Sequence, residues 1–280
     1  MMRSNLQPSS LDTLLTKKFP PNRWLVDGLI PLQGITILHG LPTAGKTWLM
    51  MEIALSVAQG KLLFNQFETT RTGVLLLDEE SGEWLLHDRF KTLRAPSGLP
   101  IHYLTMNSSK FTEGYVDELI EWCSDNEVGF ITIDSLVRIH GGDENTAQDS
   151  ARVFRLIRKL TSAGITVLII HHNTKASANG EYGSQMRGSG DIQASVDCQL
   201  SLVRPYRDDY LTLEQVKNRY APEMPTIELN FMKHDDYSEF IYLSQLKEGA
   251  KHAELKPVIL QVIGADPGIS QSGLHEKLWS

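Results

Sequence analysis

Cysteine is scarce in this chain of 280 residues, and the two present, Cys123 and Cys198, are too few for a disulfide framework or a thiolate zinc site. Both read as small buried apolar residues of a protein kept in a reducing compartment. Long apolar runs are missing as well. No stretch approaches the roughly 18 apolar residues of a membrane span, and the N-terminus lacks a charged segment followed by an apolar core. The expectation is a cytoplasmic protein with no membrane partner. Basic charge is not in excess either: 27 Lys and Arg stand against 34 Asp and Glu, a net charge of −7. That excludes a broadly basic surface of the kind that coats duplex DNA, and it leaves room for a local basic site. Internal repeats and low-complexity tracts are also absent. What remains is 41% hydrophobic content, enough to bury a substantial core in one large domain with a small appendage.

Residues 1–22 are polar and punctuated by proline, with a short helix expected from Ser10, its N-cap, to Lys18; they read as an N-terminal arm. From Gly34 onward short apolar runs alternate with helical patterns. Ile35–His39, Val74–Leu77, Phe130–Ile133, Ile165–Ile170 and Gln199–Val203 read as strands, and Lys46–Gln59, Gly82–Leu93, Gly114–Asn126 and Asp149–Ala163 as helices. Strands that are apolar throughout, separated by helices, indicate a parallel sheet covered on both faces. After Val203 the texture changes to a meander of Leu211–Lys217, Thr226–Met232 and Phe240–Leu243. The last stretch, 249–280, contains a helix, a Pro-Gly turn and a second helix capped by Ser270 or Ser272. It reads as a partial winged helix-turn-helix appended to a core of 23–248.

"GLPTAGKT", Gly40 to Thr47, fits the eight-position phosphate loop GxxxxGK[ST] and stands after a strand and before a helix, where the mechanism requires it. Gly40, Leu41, Pro42, Thr43, Ala44, Gly45, Lys46, Thr47 and Trp48 are therefore the nucleotide-binding candidates. Backbone amides and the helix dipole receive the phosphates, Lys46 neutralises their oxygens, and the Thr47 hydroxyl ligates Mg²⁺. Lys46 is expected to be exposed without ligand. "GFITIDSL" delivers Asp134 to the C-terminal end of a strand, the edge where ligands sit in open α/β sheets, which makes it the candidate carboxylate for Mg²⁺. "VLLLDEES" places Asp78, Glu79 and Glu80 at another strand end, and one of them is expected to position the attacking water. "TVLIIHHNT" ends a further strand in His171 and His172. No cysteine or carboxylate stands at ligand spacing to them, so zinc is excluded in favour of a neutral imidazole that senses the γ-phosphate. Because strand neighbours point to opposite faces, one of the two histidines is expected to do this.

These elements, with "QMRGSGDIQASVD" and "VKNRYAPEMP", occur in an order that resembles the RecA-like ATPases of the ring-shaped replicative helicase group. The resemblance is closest to plasmid RepA-type helicases, more distant to DnaB-type ones, and covers roughly Trp24 to Leu243. It implies an α/β, RecA-like P-loop NTPase with a mostly parallel central sheet flanked by helices, using ATP and Mg²⁺. It further implies Glu80 as the catalytic glutamate and His171 as the phosphate sensor. In the segment Asn173–Gly190, Lys175 and Arg187 would touch single-stranded DNA in a central pore. In "LEQVKNR", period-two alternation throws Lys217 and Arg219 to one face; they form either a solvated edge-strand pair or, as the resemblance implies, a cationic finger that reaches the neighbouring subunit's phosphates. The implied partners are single-stranded DNA, copies of the same chain in a ring, most simply a hexamer, and a replication initiator or primase. The function expected is a helicase or translocase. A recombinase or regulatory ATPase of the same fold and an ATP-switched DNA-binding initiator are the alternatives. The segment 249–280 departs from the RepA-type pattern.

Overall fold

A computed structural model describes residues 8–18, 23–106, 110–139, 147–173, 189–204 and 209–246, without the side chains of 147–149, 189–191, 245 and 246. The segment read as a partial winged helix-turn-helix lies outside the described residues, and so do Lys175 and Arg187. The N-terminal arm carries α1 (Leu11–Thr16), whose first turn is capped by Ser10: its Oγ accepts the Thr13 N–H at 3.1 Å. A small hairpin follows, made of β1 (Trp24–Val26) and β2 (Ile30–Pro31).

A strand with apolar side chains on both faces is stable only where both faces are covered, and this drives the apolar runs together. β3 (Ile35–Gly40) is followed by α2 (Lys46–Gln59), β4 (Gly73–Asp78), α3 (Glu83–Thr92) and β5 (Ile101–Thr105). Next come α4 (Glu113–Asp125), β6 (Val128–Asp134), α5 (Leu136–Ile139), α6 (Ala147–Ser162) and β7 (Thr166–His172). The described chain ends with α7 (Ser189–Ser195), β8 (Cys198–Val203), β9 (Tyr210–Asn218), β10 (Thr226–Lys233) and β11 (Ser238–Leu246). One nine-stranded sheet results, in the order β11-β10-β9-β8-β3-β7-β6-β4-β5. From β8 to β5 every pairing is parallel, whereas β9, β10 and β11 extend the same sheet as an antiparallel meander.

Alternation along each strand sorts the side chains into two cores. Leu38, Val74, Leu76, Phe130, Leu168 and Ile170 face α2, α3 and the inner side of the meander. Ile37, Leu75, Leu77, Ile131, Ile133, Val167 and Ile169 face α4, α6 and Ile192 of α7. Parallel pairing also has a functional consequence: the C-terminal ends Gly40, Asp78, Asp134 and His172 come together at one edge. This is the mostly parallel, helix-flanked architecture expected of a RecA-like P-loop NTPase.

Several elements differ from the sequence reading, which also did not anticipate the β1–β2 hairpin. β5 was not anticipated, because as the outermost strand it is half exposed and "IHYLT" lacks an apolar run. α5 and α7 are short and carry little periodicity. The pattern expected in β9 is broken by a bulge between Gln199 and Leu200 of the β8 pairing, which turns Gln215 towards Gly28 and Cys198 and sends Lys217 to the opposite face.

Phe130 is fully buried in the α2-side core, four residues before Asp134. Phe130→Ala is expected to lower unfolding free energy by about 3–5 kcal/mol, the usual cost of truncating a core aromatic, and urea denaturation followed by circular dichroism measures it.

Candidate active site

β3 ends where the phosphate loop begins, and the backbone explains two of its glycines. A Cβ on Gly40 would stand 2.3 Å from the Leu202 carbonyl oxygen of the adjoining β8, so only glycine lets the two strands pair here. Gly45 has φ 98°, and a Cβ built there meets no atom within 4 Å; the loop is left-handed at this point and opens onto free space on its concave side. Lys46, the first residue of α2, does not project into solvent. Its Nζ donates to the Gly40 and Leu41 carbonyls at 3.0 and 2.9 Å, and the residue is 5% exposed. This corrects the expectation of an exposed lysine. Burial lowers its pKa to about 8, against the opposing pull of Asp134 and Glu80.

Thr47 donates to Asp134 Oδ2 at 2.7 Å, which joins the phosphate loop to the end of β6. Burial raises the Asp134 carboxyl to about 6, and the charges of Asp78 and Glu80 push in the same direction. Two hard oxygens in a pocket with surplus negative charge suit a divalent cation. Among the described residues no group of three or more His, Cys, Asp or Glu side chains could hold a metal, so a Mg²⁺ ion here would take its other ligands from phosphate and water. Thr47 and Asp134 would hold it, and it would neutralise charge on the phosphates.

The acidic triplet after β4 separates into distinct roles. Asp78 is fully buried, and its Oδ1 accepts the backbone N–H groups of Glu80 and Ser81 at 3.0 and 2.7 Å, which folds the turn. The Glu79 N–H goes to the Asp134 carbonyl at 2.7 Å. Glu80 is turned across the strand ends, where its Oε1 accepts from Ser135 Oγ at 2.5 Å, with His172 Nε2 at 3.4 Å and Arg138 Nε at 4.0 Å. The hydrogen bond from His172, together with those groups, holds its pKa near 2 despite burial, so Glu80 is ionised throughout the neutral range.

The histidine nearest this carboxylate is His172, not the expected His171. Strand alternation puts His172 on the α2 face with Asp134, while His171, 1% exposed, points to the other face in register with His39. His39 lies between Asn173 Oδ1, 2.8 Å from its Nδ1, and the Gln199 amide, 2.9 Å from its Nε2, and burial lowers its pKa to about 4. It is a neutral strut under the phosphate loop.

Residues 2–178 match the family described as AAA domain. The chain belongs to the AAA domain family. None of the curated proteins matches it. Membership makes the protein a P-loop ATPase in kind, with nucleotide as its ligand, and gives the geometry of Gly40–Thr47, Asp134 and Glu80 its chemical meaning.

Other candidates fall elsewhere in this AAA domain protein. Trp48 turns away from the loop: its ring packs on Phe231 at 5.3 Å between centroids, beneath the Arg89 guanidinium at 5.8 Å. Lys217 and Arg219 lie at the opposite end of the sheet. Arg219 follows β9 at the level of Asp197 and Ile35, five residues back along β3 from Gly40, or about 17 Å at a strand's rise. The sequence reading gave no role to Ser135, Arg138 or Asn173, although Ser135 and Asn173 stand directly beside residues it singled out; only the register between neighbouring strands brings them to the edge. Among the described residues no helix is long and apolar enough to cross a membrane.

Two outcomes test the site. Because the lysine's folded pKa lies below its unfolded value, the buried charge disfavours the fold at neutral pH, and that penalty fades as pH rises from about 8 towards the ordinary lysine value. Lys46→Met is therefore expected to leave the melting temperature of nucleotide-free protein unchanged or higher at pH 7, while abolishing the rise that ATP produces, as differential scanning fluorimetry would record. Glu80→Gln is expected to bind nucleotide normally and to lose hydrolysis by about 10²–10⁴-fold, the range for a positioned proton-transfer group. Glu79→Gln should stay within about threefold of wild type in the same phosphate-release assay.

Proposed function

We propose that this ATPase is a ring-forming motor that translocates on single-stranded DNA and unwinds duplex in replication, with each active site completed by the neighbouring copy. The observation that carries the reading is the position of Lys217 and Arg219. Measured along the strands, Arg219 stands at the level of Ile35, about 17 Å back from its own phosphate loop, and Lys217 at the level of Ile37, about 10 Å back; both lie towards the far edge of the sheet, and the Arg219 side chain is 48% exposed. Cations so placed cannot stabilise charge on the nucleotide of their own chain. Presented to an adjacent copy in head-to-tail contact, they would act as fingers, which accelerate phosphoryl transfer by roughly 10³–10⁵. The resemblance of "MRGSGDIQASVD" and "VKNR" to ring helicases supports this assignment. The net charge of −7 supports a pore that concentrates a few cations, Lys175 and Arg187 among them, on one strand rather than a basic duplex-reading face. His172 would sense the γ-phosphate through its contact with Glu80.

Mixing tests the shared site. Arg219→Ala is expected to bind ATP and hydrolyse it poorly, and Lys46→Ala to be inactive. Rings mixed from the two should recover activity, because some interfaces then pair an intact phosphate loop with an intact finger. No recovery at any ratio, with exchange verified by labelled subunits, would place the two cations in a purely in-chain role. Strand displacement on a forked substrate separates the motor from a recombinase or regulatory ATPase of the same fold.

A further inference from the structure

The last three carbonyls of α7 and that of Val196 just after it are each taken by a cationic side chain from elsewhere in the chain. Lys217 Nζ donates to the Gln193 carbonyl and, at 2.9 Å, to that of Val196. Arg219 donates to the Ala194 carbonyl at 2.6 Å, and Arg158 of α6 to that of Ser195 at 2.8 Å. At the centre is Asp197, 3% exposed. Its Oδ2 accepts the Ile35 N–H at 2.9 Å and Arg158 at 2.6 Å, and its Oδ1 accepts Arg219 at 3.2 Å.

The charges in this cluster do not balance. Arg158, Lys217 and Arg219 bring three positive charges, and among the described residues Asp197 is the one carboxylate within ion-pair distance of the two arginines. Arg158 makes the shorter contact, and one carboxylate shared between two guanidinium groups orients Arg219 without cancelling the positive charge of the cluster. Donors are also left over. Arg219 uses two of its five N–H groups here and Lys217 two of its three. Burial and the charge of Arg219 lower the Lys217 pKa, as a surplus of positive charge requires. Two cations with fixed stems, unused donors and partial exposure form a preorganised seat for a multivalent oxyanion.

We propose that Arg158 and Asp197 are positioning residues, which hold Lys217 and Arg219 ready for the triphosphate bound by the phosphate loop of a second copy of this chain. The proposal rests on the shared-site reading above, and it assigns roles to two side chains that never touch nucleotide themselves.

Arg158→Gln in the full-length chain leaves Asp197 with Arg219 as its sole counter-ion and frees the Ser195 carbonyl. Its kcat for ATP should fall at least tenfold with KM and the affinity for a fluorescent ATP analogue unchanged, since the chain's own phosphate loop is intact. Arg158→Lys should recover part of the loss. In an Arg219→Ala background, Arg158→Gln should cost nothing more. Mixed with Lys46→Ala it should regain activity, and mixed with Arg219→Ala it should not, because those two defects lie on the same side of the interface. A kcat within twofold of wild type, or a loss that adds fully to that of Arg219→Ala, overturns the proposal and leaves the cluster a structural cap on α7. If Arg158→Gln fails to fold, the same additivity test is run with Arg158→Lys, which keeps the charge but cannot span Asp197 and Ser195 together. Normal hydrolysis by Arg219→Ala would instead bring down the shared-site reading itself.

Discussion

Thr47 and Asp134 are 87 residues apart and joined by a 2.7 Å hydrogen bond, and the architecture can be understood as what is needed to keep them there. One opens the helix after β3; the other closes β6, two strands away in the sheet with β7 between. Parallel pairing places both at the same edge, and apolar side chains on both faces of every intervening strand keep them in register. Around that bond the chain assembles a surplus of carboxylates: Asp134 buried and hard to ionise, Asp78 folded into its own turn, Glu80 fully ionised. Their environments push these acids apart, and so they can serve different ends within one small volume.

Much of this is legible along the chain. The apolar runs, the glycine-bounded loop and the acids that follow two of the runs are local signals, and they lead to the sheet, to α2 with the same bounds, and to Thr47, Asp134 and Glu80 at one edge. Facing is a different matter. Whether His171 or His172 approaches Glu80 depends on which side of β7 meets α2, and an all-apolar strand carries no alternation to reveal it. Ser135 and Arg138 are equally silent, since they contact Glu80 through pairing between β4 and β6. The bulge in β9 hides the divergence of Gln215 from Lys217 for the same reason: a single extra residue shifts the face without leaving a mark in the composition.

The two ends of the sheet have opposite electrical character. At the C-terminal edge the carboxylates Glu80 and Asp134 act on Lys46, with Asp78 close behind Asp134; at the other, three cations cluster about Asp197. A net charge of −7 is thus no guide to either end. Each edge favours charge of the opposite sign, the first a divalent cation, the second an anion.

β8 spans the distance between these edges. Near its end the Leu202 carbonyl lies so close to Gly40 that a single methyl group would part the strands, just before its start Asp197 grips Arg219 and Arg158, and from Cys198 to Ser201 it is paired on both sides. Such an element is a strut of about 20 Å. Any displacement of the phosphate loop would meet this strand before the cationic edge, with paired neighbours rather than a loop lying between the two.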